Sequence, residues 1–136
     1  MTDGLDQAAV NAGLDLLRAD PGLTVHDGIV PDGLVPPYVL AYTSVARPTD
    51  HHAIPLTGQS RGFTVRWILH CVGEDAITAR ATAQRARTQL LDVRPTVVGL
   101  TCNPIRQVEV IPPARDESTG LPRIDAVEVY EMSACL

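Results

Sequence analysis

The chain has 136 residues, enough for one domain. A domain of that length buries about 68% of its unfolded surface, so its core needs no disulfide or metal staple. A hydrophobic fraction of 45% and a formal charge of −5 exclude a disordered tract and a general nucleic-acid binder, which needs a net basic footprint.

All 11 basic residues are Arg; the chain contains no Lys. Arg suits interfaces, because its guanidinium is weakly hydrated and makes planar, bidentate contacts. The cysteines, Cys71, Cys102 and Cys135, are odd in number and read as free thiols in a reducing compartment. Met1 to Gln7 lacks the basic start and apolar run of a signal peptide, and no apolar stretch reaches the roughly 20 residues of a membrane span. The expectation is a soluble protein made in the cytosol.

Leu5, Ala9, Ala12 and Leu16, widened by Val10, Leu14 and Leu17, predict an amphipathic helix from about Leu5 to Ala19. Asp20-Pro21-Gly22 stops it, and Leu23 to Val25 begins a short strand. Asp27-Gly28 and Pro31-Asp32-Gly33 signal turns. Tyr38 to Val45 reads as a strand apolar on both faces, hence central. Residues 46–61 form a long connection without periodicity, and connections of that length are usually functional or disordered.

Phe63, Val65, Trp67, Leu69 and Cys71 alternate with Thr64, Arg66, Ile68 and His70, the clearest strand in the chain. Trp67 reads as core, given its apolar side of that strand. Glu74 and Asp75 put negative charge where a helix begins. Ala76, Ala79, Ala83, Ala86, Leu90 and Val93 then predict a helix with a narrow, small-residue face, ended by Pro95. Arg80 and Arg87, seven apart, share another face and remain available for contacts. Ile105 to Ile111 is a further strand, 112–122 a second long connection, and Ile124 to Cys135 a final strand. The order implies an α/β (α+β) single domain, 1–136: a mostly antiparallel sheet with two helices on one face.

Four features of the sequence bear on chemistry. Gly58-Gln59-Ser60-Arg61-Gly62 matches G-x-S-x-G, but a loop precedes it and a strand follows, where the nucleophile elbow needs strand, turn and helix. The later triad partners are also missing: His70 is the only later histidine, it lies inside the next strand, and no acid stands between it and Ser60. A small serine hydrolase therefore stands as a remote alternative. His51-His52 are adjacent, His70 and Cys71 point to opposite faces of one strand, and Cys102 and Cys135 lack a C-x-x-C partner, so no metal site is expected. Glu109, Glu128 and Glu131 read as carboxylates on exposed sheet faces, and aromatics at 4% are too few to stack single-stranded bases. The expectation is no catalytic, cofactor or metal site.

The order of segments carries a resemblance. Leu17-Arg18-Ala19-Asp20-Pro21-Gly22-Leu23-Thr24-Val25 follows the first helix, then Asp27-Gly28-Ile29-Val30-Pro31-Asp32-Gly33 and Pro36-Pro37-Tyr38-Val39. A Leu56-Thr57-Gly58-Gln59-Ser60 loop leads to the strand ending Cys71-Val72-Gly73, and the Ala/Arg-rich helix Asp75–Leu91 comes next. From about Leu5 to Met132 this resembles the tail terminator (tail completion, minor tail) proteins of long-tailed bacteriophages, especially those of actinobacterial hosts.

The resemblance implies a non-enzymatic virion protein without cofactor, assembled in the host cytoplasm and placed at the head-proximal end of the tail. It implies a homohexameric ring that caps the tail tube, stops polymerisation of the tail tube (major tail) protein and joins the head–tail connector protein. Genomic DNA would pass the lumen without specific binding, and no membrane is involved. On that reading Leu56, Thr57, Gln59 and Arg61 make axial contacts, and Arg80 and Arg87 make contacts between subunits. The alternative within the same particle is a head–tail connector, or neck, protein.

Overall fold

The alternation over Phe63–Cys71 organises the whole molecule. In the computed structural model, which describes residues 3–47, 62–116 and 123–136, it lies in β3 (Gly62–Gly73), the middle of a curled mixed sheet. Before it come α1 (Asp3–Arg18), β1 (Val25–Asp27) and β2 (Tyr38–Ala46). After it come α2 (Ala76–Leu90), β4 (Thr101–Cys102), β5 (Arg106–Asp116) and β6 (Arg123–Cys135). The strand order is β1-β2-β3-β6-β4, with β5 also on β6; β1 pairs β2 in parallel and the other pairings are antiparallel.

Register explains which residues are inside. Val65 faces Met132, Trp67 faces Tyr130 and Cys71 faces Ala126 on the neighbouring strand. Since side chains alternate between faces, these residues form one apolar surface, and both helices cover it. From α1 come Ala9, Val10, Leu14 and Leu17; from α2 come Ala79, Ala83, Ala86 and Leu90. The Trp67 indole lies against α1 and donates from Nε1 to the Val10 carbonyl at 3.1 Å. Gly13 makes that approach possible: a Cβ there would stand 2.4 Å from the ring. Gly73 does the same where β3 meets α2, since its Cβ would fall 2.4 Å from the Ala79 nitrogen.

Helix ends follow from local chemistry. α1 ends at Arg18, and the Asp20 side chain then accepts from the Gly22 N–H at 2.9 Å to close the turn. Asp75 is the N-cap of α2, accepting from the Thr78 N–H at 2.7 Å, and that bond holds its carboxyl below the usual range. α2 ends before Pro95: Leu91 turns extended, Asp92 takes φ 64°, and the chain then exchanges backbone bonds with Ile105.

The fold class is as expected, a mostly antiparallel sheet with both helices on one face. Two details differ. β4 was not foreseen; it is two residues long and carries no periodicity. The connection expected at 112–122 is partly strand, because β5 runs on to Asp116. Pro112 and Pro113 lie within it at a register break between Ile111 and Ala114. β5 pairs only with β6 among the described strands, and a bulge on an edge strand tolerates residues that lack an N–H.

Candidate functional site

The four axial candidates, Leu56, Thr57, Gln59 and Arg61, lie outside the described residues, as do Ser60, His51 and His52. The described ends of that connection are firmly held. β2 and β3 stay in register out to Ala46 and Thr64, and Arg47 bonds both carboxylate oxygens of Asp6 at 2.9 Å. Among the described residues no three His, Cys, Asp or Glu side chains come together to hold a metal ion. His70 Nδ1 meets Asp125 Oδ2 at 2.7 Å and its ring meets Tyr42 edge to face. Burial, then the charges of Glu128 and Asp125, push the Cys71 thiol well up and favour its protonated form.

The densest polar chemistry sits where α2, β5 and β6 meet. Glu128 shares the period-two parity of Ala126, Tyr130 and Met132, which places its carboxylate among the core residues at 2% exposure. This corrects the expectation that it lies on an exposed face. Oε1 accepts from the Tyr130 hydroxyl at 2.6 Å and from Gln107 Nε2 at 2.6 Å. Oε2 accepts from Arg87 Nη2 at 2.8 Å. These donors make a buried charge tolerable. The hydrogen bond to Glu128 raises the Arg87 pKa, while burial and then the same carboxylate raise that of Tyr130. The carboxylate is occupied by groups of its own domain, so the cluster ties α2 to β5 and β6. Its signal in the sequence was the period-two placement of an acid within an apolar set.

The two arginine candidates therefore differ. Arg87 is half-buried and committed to Glu128. Arg80, two turns earlier, is exposed, and its charge reaches Asp75 at the start of the same helix, helping to hold that carboxyl low. The inner flank of α2 is already used: Arg85 holds Asp20 through bonds of 2.9 and 2.6 Å, and Gln89 Nε2 donates to the Leu16 carbonyl at 2.8 Å. The outer flank is open. There Ile77 is 72% exposed, and a depression of about 280 Å³ lies between Arg80, Gln84 and Arg87 of α2 and Val110 and Ile111 of β5.

At the other edge of the sheet, the connection Gly28–Pro37 leaves β1 with Ile29 78% and Val35 67% exposed beside Asp27 and Asp32. It is held in place. The Gly28 N–H donates to the Ala41 carbonyl at 2.9 Å, and buried Arg123 donates to the Leu34 carbonyl at 2.9 Å and the Tyr38 hydroxyl at 2.8 Å.

No family model matches the chain, and no curated protein matches it. Solved structures do. The chain superposes on one from the "virion of native gene transfer agent (GTA) particle" with a TM-score of 0.70 at 18% identity, over 93% of each chain. A second solved chain superposes with a TM-score of 0.65 at 17% identity, over 100% of this chain and 97% of its own. At these identities the likeness establishes a shared fold.

Proposed function

We propose that this chain is a structural virion protein, and that it works as a tail terminator. In this reading copies of it close into a ring, six as in the family it resembles, at the head-proximal end of the tail. The ring caps the tube, ends its polymerisation and joins the head connector, while DNA passes through.

The observation that carries the reading is the superposition over 93% of both chains on a protein of a virion. The segment order that resembles tail terminators points the same way. Physically, the surface is that of a protein with partners. Ile29, Val35, Ile77 and Val110 leave large apolar side chains in water, which subunit contacts would cover. A ring needs two different patches that fit each other, and an acidic balance suits a lumen past which DNA must slide.

Light scattering on the protein alone, and after mixing with the matching tail tube protein, tests this. The expected result is a ring in solution, or a monomer that forms a ring on tube ends and halts their growth. A monomer that ignores the tube but binds the head connector protein would move the assignment to the neck. One that binds neither would overturn both.

A further inference from the structure

We infer that the outer flank of α2 and β5 receives the Gly28–Pro37 connection of a second copy of this chain, an inference that rests on the ring reading and supplies its contact. The receiving flank sets exposed Arg80 beside Ile77 on α2, with Val110 and Ile111 across the depression on β5; the other two charges of its lining, Arg87 and Glu128, satisfy each other and leave Arg80 as the outward cation. The entering connection is acidic and apolar, carrying Asp32 beside Ile29 and Val35, with Asp27 at the end of β1 where it begins. Charge and apolar character thus complement each other between two regions of one chain that leave opposite edges of its sheet.

Like patches cannot meet. Contact of two receiving flanks would oppose Arg80 to Arg80, and contact of two connections would oppose acid to acid, whereas receiver against connection pairs opposite signs. That is a head-to-tail contact, the kind that closes rings. The connection is also pre-positioned by Arg123 and by the Gly28 N–H bond to Ala41, so little order is lost on docking. On the receiving side, the Glu128 cluster fixes Arg87 and joins α2 to β5, which keeps the two walls of the depression together.

Charge reversal tests the pairing at low salt, with folding checked by circular dichroism since both side chains are exposed. Arg80→Glu and Asp32→Arg are each expected to raise the dissociation constant of the assembly about tenfold or more, and the double variant to recover most of that loss. As a second route, Ile29→Cys and Val110→Cys in a Cys135→Ser background should give a ladder of covalent multimers on mild oxidation. If wild type assembles while both reversals and the cysteine pair have no effect, this contact is wrong and the ring stands. If the reversals weaken binding to another virion protein but leave self-association intact, the occupant is that protein and the inference falls. If wild type never associates, even with the tube, the ring reading fails and takes this contact with it.

Discussion

The two helices meet the same sheet by opposite means. Under α1 the contact is dry: Gly13 gives up its side chain so that Trp67 can lie against the helix, and the single polar atom of the indole finds the Val10 carbonyl. Under the outer half of α2 the contact is built on charge, with Glu128 held by Arg87, Tyr130 and Gln107. The dry side is closed by its own packing. The polar side opens onto the depression at β5 and onto the exposed guanidinium of Arg80. A packed apolar contact maximises stability, whereas a satisfied polar cluster sets geometry at little net gain. The difference teaches where to look for partners: beside the element whose position is defined by hydrogen bonds.

Breaking the dry side should cost most. Trp67→Ala is expected to destabilise by about 3–5 kcal/mol in denaturant unfolding, a large part of the total stability of a domain. Gly13→Ala, which drives a methyl group into the indole, should cost about 1–3 kcal/mol. Gly4→Ala in the same helix meets nothing within 4 Å and should be neutral or stabilising by up to about 1 kcal/mol.

The polar side should respond less, and not additively. Arg87→Met removes a charge partner from buried Glu128 but leaves two donors, so about 1–2 kcal/mol is expected. Glu128→Met added to it should recover part of that loss, because the double variant strands no charge. A double-mutant cycle in thermal unfolding reads this coupling, and simple additivity would show that the cluster is not a unit.

A change of pH touches both sides at their seam. Tyr130 and Cys71 have folded-state pKa values raised above their ordinary 10.0 and 9.0, chiefly by burial. Their contribution is therefore complete below about pH 9 and is lost as pH rises beyond it, since only the unfolded chain releases those protons there. Unfolding midpoints should fall from pH 9 to 11, by the equivalent of about 1–3 kcal/mol. Tyr130→Phe with Cys71→Ala should flatten that slope; an unchanged slope would place its origin elsewhere.

Much of this architecture was legible in the sequence, and for physical reasons. Period-two alternation over Phe63–Cys71 and three-four spacing from Ala76 to Leu90 are local consequences of burying one face, so both elements and Trp67 as core followed directly. The turn chemistry of Asp20-Pro21-Gly22 is equally local. Pro112 and Pro113 misled, because a proline forbids an interior strand but not an edge with a bulge, and being an edge is a property of the sheet. Glu128 misled for a related reason. Its parity placed it inside, yet only its three donors, from residues 87, 107 and 130, make an interior carboxylate tolerable, and no spacing in the chain announces them. Arg80 and Arg87 share a helical face by sequence; their division into one exposed and one committed side chain came from what β6 puts beneath each. The sequence by itself thus determined the elements and their inward faces, since those depend on neighbours a few residues away. Edges, polar partners and the exposed flank were decided by the tertiary structure alone, because each depends on residues that only the sheet brings together.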